Sequence, residues 1–107
     1  MQTETIEKKA QVAELNDAFR QHGVGARVTR GIRAIYDCID LIYAIRYYDA
    51  FSLDNDPYGE HDFGSLLWHG DKVFWKIDYY DQELKNGLDP LSVNCRRVLT
   101  VMLASEY

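Results

Sequence analysis

Apolar residues recur at helical spacing in two long stretches of the chain. In residues 4–22 one helical face is formed by Val12, Leu15, Phe19 and His22. Gly23 follows and is a natural helix end. The spacing therefore predicts an amphipathic helix over 4–22.

Residues 32–48 carry the strongest helical pattern. One predicted face holds Ile32, Ile35, Tyr36, Ile39, Ile42, Tyr43 and Arg46. This face is widened by Ala34, Cys38, Leu41 and Ile45. The polar stripe that remains is narrow and consists of Arg33, Asp37 and Asp40. A helix this apolar is predicted to be the central element of the core.

Three segments favour strands. Residues 24–31 (VGARVTRG) are short, β-leaning and bounded by glycines. The runs SLLWH (65–69) and KVFWKIDYY (72–80) meet at Gly70-Asp71, which indicates a β-hairpin. The second run alternates, which predicts one face packed on helices and one face partly exposed to solvent.

The remaining C-terminal residues predict a last helix. Ser92 is a favourable N-cap for residues 93–106, whose core side would be Val98, Val101, Met102 and Leu103. The predicted order is α-β-α-β-β-α in one α+β domain over residues 1–107, with residues 1–5 frayed. We expect a small three-stranded antiparallel sheet with helices packed on one face.

Composition and charge restrict the class of protein. The 107 residues suit one domain, and 47% hydrophobic content can fill a core. No apolar run is long enough to span a membrane, and the N-terminus has no signal-peptide pattern, so we expect a cytoplasmic protein.

The negative charge is unevenly distributed. The net charge of the chain is −5, and the five carboxylates of residues 49–62 equal this whole value, since this segment has no Lys or Arg. Direct nucleic-acid binding is disfavoured, whereas a basic protein partner or a bound cation fits.

Five longer segments of the sequence are similar to segments of a known family. They are "DNDPYGEHDFG", "VFWKIDYYD", "RVLTVMLASEY", "AELNDAFRQHG" and "ARVTRGI". They resemble a bacterial family catalogued as domain of unknown function 3768, and the resemblance covers about residues 13–107. It implies no catalytic residues, because no activity is established for that family.

The string DNDPYGEHDFG (54–64) is the main candidate for chemistry. Read from Asp54, it partly fits a calcium loop, but Tyr58 and Ser65 stand where ligands are expected. A second interpretation is a divalent-metal site formed by Asp56, His61 and Asp62, with Asp78 as a further ligand. His61 or Glu60 would then act in hydrolysis, His61 as the general base.

A purely structural interpretation of the same string is equally concrete. Asp54, Asn55 and Asp56 are good turn formers, and Pro57 stiffens a turn. Gly59 and Gly64 permit backbone conformations that other residues avoid. These residues would then hold a long loop in place over the hairpin and would have no chemical role.

The function that we expect first is non-enzymatic: an acidic interaction protein. Its partner-binding residues would be Asp54, Asp56, Tyr58, Glu60, Asp62, Asp78, Tyr80 and Asp81. Their partner would be a basic nucleic-acid-handling protein, such as a CRISPR or restriction effector, and the chain would act as an anti-CRISPR or anti-restriction inhibitor. No cofactor is expected in this case; the metal-dependent hydrolase is the alternative.

Three further possibilities remain open. A pocket between the loop and the aromatic hairpin could hold a small molecule, and an exposed edge strand at 24–31 could support a homodimer. Two small basic groups, Arg27 with Arg30 and Arg96 with Arg97, are interpreted as surface solvation and not as phosphate sites.

Overall fold

The computed structural model describes residues 2–23, 25–35 and 37–107. In chain order the elements are α1 (Gln2–His22), β1 (Arg27–Val28), α2 (Arg30–Arg33), α3 (Cys38–Arg46), β2 (Phe63–Trp68), β3 (Asp71–Tyr80), β4 (Arg96–Leu103) and a 3-10 turn (Ala104–Glu106). The α+β class is confirmed. The described strands form a four-stranded mixed sheet in the order β1-β4-β3-β2, so the predicted three-stranded antiparallel sheet is wrong in detail.

The predicted hairpin is confirmed, and it provides the wall on which the core is built. β2 and β3 pair antiparallel, and Val73, Trp75 and Ile77 of β3 are buried on one face of the sheet. Side chains from the helices and from β4 complete this core: Ile32, Leu41, Ile45, Leu99 and Val101. Gly64 lies opposite Trp75, whose indole ring occupies the space that a side chain at Gly64 would need.

The predicted final helix over 93–106 is wrong, because its central residues form β4. Leu99 and Val101 point into the core, whereas Met102 is buried on the other face. A strand buried on both faces has a continuous apolar run, which periodicity alone does not distinguish from a helix. Ser92 caps no helix: its hydroxyl accepts a hydrogen bond from the Asn94 amide in a turn before the strand.

The strand predicted over 24–31 is much shorter than expected. β1 contains Arg27 and Val28, which pair parallel with β4. Thr29 ends it, because its side chain caps α2 by accepting from the Ile32 amide. Val24 lies outside the described residues. β1 is still an edge strand, and the homodimer stays a prediction.

The helix predicted over 32–48 is divided into α2 and α3. The division is explained by Ile32 and Leu41, which are nine residues apart and would lie on opposite sides of a continuous helix. Asp37 adopts a left-handed backbone conformation just before α3. The side chains of Ile32 and Leu41 are both fully buried in the same core. The break between α2 and α3 therefore allows Ile32 and Leu41 to pack into one core.

The predicted core face of this segment is partly wrong. Ile39 is 85% exposed and Tyr43 is 63% exposed, whereas Leu41 and Ile45 are buried. Tyr36 lies outside the described residues. The apolar pattern runs almost around the helix, so it did not fix which side faces the sheet.

α1 ends at His22 as predicted but begins at Gln2, two residues before the predicted start and within the segment expected to be frayed, and its buried side differs from the predicted one. Val12 is buried as expected, whereas Leu15 is 45% exposed and His22 is exposed. Asn16 and Arg20 are buried instead. A helix that buries two polar side chains needs partners for them, and these partners lie in the segment between α3 and β2 and on strands β3 and β4. Within the part of the chain described, no helix combines the length and apolarity that crossing a bilayer requires.

Candidate functional site

Asn16 is the centre of a partly buried polar cluster that joins α1, the sheet and the segment of residues 49–62, called here the acidic loop. Its Nδ2 donates to the Glu60 carbonyl oxygen at 2.9 Å and to the Tyr79 hydroxyl at 2.8 Å. Its Oδ1 accepts from Arg97 Nε at 2.7 Å. Asn16 is fully buried, and its amide is satisfied by partners from three separate parts of the chain.

Tyr79 and Arg97 extend this cluster along the sheet. The Tyr79 hydroxyl donates to Asp62 Oδ2 at 3.1 Å, so the end of the acidic loop is fixed to β3. Arg97 Nη2 donates to the Pro90 carbonyl at 2.7 Å, and its guanidinium lies 5.4 Å from the centre of the Tyr79 ring. Asn16, Tyr79, Asp62 and Arg97, with the Glu60 carbonyl, are called the Asn16 cluster below.

His61 lies between two carboxylates at the edge of the cluster. Its Nδ1 is 3.0 Å from both carboxylate oxygens of Asp17 on α1. Its Nε2 is 3.6 Å from Asp56 Oδ2, and the same oxygen accepts the His61 backbone N–H at 3.3 Å. The imidazole also stacks on Phe51, with ring centres 3.9 Å apart. The ring is therefore oriented from two sides and covered on one face.

Arg20 anchors the beginning of the acidic loop. Its Nη2 donates to the Tyr48 carbonyl at 2.9 Å and lies 3.1 Å from Asp17 Oδ1. The guanidinium lies 4.9 Å from the centre of the Trp75 ring and 5.4 Å from that of Phe51, so it is close to both aromatic rings. Its Nε and Nη1 are buried and have no hydrogen-bond partner among the residues that the structure describes.

The loop between these two anchors is folded into hydrogen-bonded turns. The Asn55 carboxamide accepts from the Ser52 amide and donates to the Ala50 carbonyl, while the Asp56 amide donates to the Ser52 carbonyl. The Gly59 amide donates to the Asp56 carbonyl, and Gly59 has a positive φ of 64°, which explains the glycine. The turn-forming interpretation of this string therefore describes its backbone correctly.

Burial and mutual repulsion raise the pKa of the loop carboxyls next to the cluster. The pKa of Asp62 is raised chiefly by desolvation, against which the Tyr79 hydrogen bond acts. The pKa of Glu60 is raised by desolvation and by the nearby Asp62 carboxylate. Burial also raises the pKa of the Tyr79 hydroxyl, which keeps its proton for the bond to Asp62.

The predicted site residues divide into three groups in space. Asp56, Glu60, His61 and Asp62 lie close together within the loop, Asp56 buried and the other three half-buried. Asp54 and Tyr58 are exposed on its outer side. The last three residues lie elsewhere: Asp78, paired with Lys76 at 3.0 Å on the other face of the sheet, Tyr80 on that same face, and Asp81 in the turn after β3.

Metal binding by the loop finds limited support in this geometry. Asp56 and His61 lie together as a pair, but Asp62 is engaged by Tyr79. Among residues 2–23, 25–35 and 37–107, no three His, Cys, Asp or Glu side chains are grouped as metal ligands would be. The donor set thus lacks a third ligand, and the predicted metal stays a prediction.

Four important residues were missed from the sequence: Asn16, Asp17, Arg20 and Arg97. Asn16 and Arg20 are four residues apart, and Asn16 is four residues after the buried Val12. Helical spacing from Val12 could therefore have placed both side chains on the buried side. Nothing in the sequence indicated that Arg97, 81 residues from Asn16, would be its partner.

A cleft opens beside His61, between α1 and the beginning of the acidic loop. It has a volume of about 540 Å³ and is lined by Asp17, Arg20, Gln21, Tyr47, Tyr48, Asp49, Phe51 and His61. Its lining combines charged side chains with the rings of Tyr47, Tyr48 and Phe51. None of these lining residues belongs to the hairpin, so this cleft is not the predicted pocket between the loop and the hairpin aromatics.

Fold and site together define an α+β domain whose acidic loop is fixed to its sheet through buried polar side chains. The chain belongs to the DUF3768 family, described as proteins of unknown function, whose profile matches residues 28–106. The sequence resemblance is thereby confirmed. No curated protein and no solved structure matches the chain significantly.

Replacing Asn16 tests the Asn16 cluster. Asn16→Ala removes three hydrogen bonds and leaves Arg97 Nε without this acceptor, so we expect a loss of about 3 kcal/mol in the free energy of unfolding. Urea titration followed by tryptophan fluorescence measures it. Gln11→Ala, at an exposed position of the same helix, is the control. If Asn16→Ala lowers the free energy of unfolding no more than Gln11→Ala does, the structural role of Asn16 is contradicted.

The raised pKa of Asp62 predicts a pH-dependent effect of Asp62→Asn. Because the folded protein holds the Asp62 proton more tightly than the unfolded chain, wild type loses stability as the pH rises from about 4 through the raised pKa. Asparagine does not ionise, so the variant gains stability relative to wild type between pH 4 and pH 7.

Urea unfolding of both proteins across this range measures the difference. Asp54→Asn, at the exposed side of the loop, is the matched charge control. A stability difference between Asp62→Asn and wild type that is the same at pH 4 and pH 7 would argue against desolvation of this carboxyl.

Proposed function

We propose that this chain is an interaction protein that binds a basic partner through the outer side of its acidic loop. The observation that carries the proposal is a rigid loop that presents acidic and apolar side chains to solvent. The buried polar residues beneath it fix the loop's conformation.

Rigidity is supported at both ends and in the middle of the loop. Arg20 holds the carbonyl of Tyr48 at its beginning, and Asn16 holds the carbonyl of Glu60 near its end. Between them, Asp56 is buried and accepts the backbone N–H of His61. A loop that is ordered before binding loses less conformational entropy when the partner arrives, which favours affinity.

The outer side of the loop has the composition of a binding surface. Leu53 is 86% exposed and Tyr58 is 67% exposed, and Asp54 lies next to Leu53. Tyrosine is a frequent anchor at protein interfaces, where its ring buries apolar area at a low entropic cost. The exposed carboxylates of Asp49 and Asp54 have no hydrogen-bond or ion-pair partner among the described residues, so their charge is free to attract cations.

The charge available to the partner is smaller than the sequence suggests. Asp56 and Asp62 contribute hydrogen bonds inside the protein, and Asp78 is paired with Lys76 on another face. We therefore assign partner binding to Asp49, Leu53, Asp54 and Tyr58, with Glu60 half-buried at the margin. Of the remaining predicted residues, Asp56 and Asp62 support this surface from inside the protein. The others, Asp78, Tyr80 and Asp81, lie away from it.

The partner class follows from charge and from size. An acidic surface on a domain of 107 residues can occupy a positive groove that normally receives nucleic acid. Proteins with such grooves include CRISPR and restriction effectors, so the proposed activity is inhibition of a nucleic-acid-handling protein of this kind.

Neutralising the free carboxylates tests the proposal. Immobilised wild type is used to capture proteins from a bacterial lysate at low salt, and the captured protein is then purified and titrated directly. Asp49→Asn with Asp54→Asn should weaken binding about tenfold and reduce its salt dependence, because two attractive charges are lost. Asp40→Asn with Glu83→Gln removes two exposed charges elsewhere and should leave the affinity unchanged. Equal affinities of the two double variants would contradict the assignment.

A metal-dependent hydrolase is the second candidate, favoured by the contacts of His61. A carboxylate on Nδ1, as Asp17 provides, is the arrangement that orients a histidine general base, and Asp56 lies on the Nε2 side. The adjoining cleft could admit a substrate.

Elemental analysis of untagged protein tests this candidate. The hydrolase predicts about one divalent ion per chain, a melting temperature lowered by a chelator, and loss of the ion in His61→Ala with Asp56→Ala. Metal-free wild type with an unchanged melting curve would contradict it.

A further inference from the structure

A second cleft, separate from the acidic loop, is lined by arginines. It has a volume of about 650 Å³ and lies among α1, the residues that lead into β1, the turn after β3 and the beginning of β4. Arg27, Arg96 and Arg97 line it, and none of its lining residues is Asp or Glu. We call it the arginine cleft.

The three arginines of the cleft form no ion pair with a carboxylate within the described part of the chain. Arg97 donates to the Asn16 side-chain oxygen and to a backbone carbonyl, and Arg96 donates to the Gln82 carbonyl at 3.3 Å. These acceptors are neutral. Arg27 is exposed, and no described side chain is paired with it. Three uncompensated guanidinium groups in a protein of net charge −5 form a local attraction for an anion.

The walls of the cleft add apolar surface and a fixed rim. Leu15 and Phe19 of α1 face it together with Leu84, and Leu15 remains 45% exposed. Leu84 lies in a turn that Asp81 stabilises by accepting the Lys85 amide at 2.9 Å, and the Leu84 φ is +60°. A left-handed conformation at a leucine is uncommon, and the surrounding turn maintains it beside the cleft.

We propose that the arginine cleft binds a small organic anion, in which a phosphate or carboxylate group is attached to an apolar or aromatic body. Arg27 and Arg96 would hold the anionic group, since guanidinium groups form paired hydrogen bonds with both oxyanions. Arg97, fixed by Asn16, would add charge from below. The apolar body would lie on Leu15, Phe19 and Leu84, and the volume suits a ligand of this size. This site shares no residue with the proposed partner surface.

Amide NMR titration of the full chain tests the proposal, with adenosine monophosphate and phenylacetate as probes for the two oxyanions. Adenosine is the uncharged comparison. We expect at least one anionic probe to shift the amides of residues 25–27, 82–84 and 95–98 in a saturable manner, and adenosine to bind at least about tenfold more weakly. The probe that binds more tightly shows which of the two ligand types the cleft prefers.

Matched variants then assign the site. Arg27→Gln with Arg96→Gln should weaken the bound anion about tenfold or more. Arg33→Gln with Lys72→Gln removes the same charge at exposed positions elsewhere and should change affinity less than about twofold. The proposal is overturned if neither anion gives saturable shifts at these amides, if adenosine binds as tightly, or if both double variants weaken binding equally.

Discussion

The hydrogen bonds of Asn16 are the interactions on which the arrangement of this domain depends. One fully buried carboxamide binds the acidic loop, the hydroxyl of Tyr79 on β3 and the guanidinium of Arg97 on β4. Burying such a group without partners is costly, so the three elements are stable only when assembled in this way. Packing of apolar side chains alone would tolerate several orientations of α1 on the sheet, whereas the Asn16 cluster specifies one.

The cluster also separates the two surfaces to which we assign binding. Toward the acidic loop it fixes the Glu60 backbone and Asp62, and with Arg20 it holds the loop so that Leu53, Asp54 and Tyr58 face solvent. Toward the beginning of β4 it fixes Arg97 beneath the arginine cleft. The net charge of −5 is therefore the sum over an acidic surface at the loop and a basic surface at the arginine cleft.

The sequence predicted α1 and the hairpin, because their periodicities are long and bounded by glycines or turn residues. It did not predict β4, because a strand between two neighbours is apolar on both faces and Val98 to Leu103 satisfies helical spacing as well. It also did not predict that residues 32–48 divide, because the left-handed conformation of Asp37 depends on tertiary packing. Local patterns carry no information on either arrangement.

For the site, the sequence indicated the turns of DNDPYGEHDFG correctly but overestimated its exposed charge. Asp56 and Asp62 differ from Asp54 in their contacts: Asp56 is engaged by His61, and Asp62 is engaged by Tyr79, which is distant in the chain, whereas Asp54 is exposed. Likewise Arg27 and Arg96 belong to two separate basic groups in the sequence. Only the parallel pairing of β1 with β4 brings them to one cleft.

Measuring backbone dynamics of the acidic loop by ¹⁵N relaxation tests the central claim most directly. If buried polar side chains hold the loop, the amides of residues 52–61 should have order parameters near those of the β3 amides, about 0.85. The same amides should become mobile in Asn16→Ala under conditions in which the sheet stays folded. Order parameters below about 0.6 in wild type would show that the loop is not fixed, and would contradict the account.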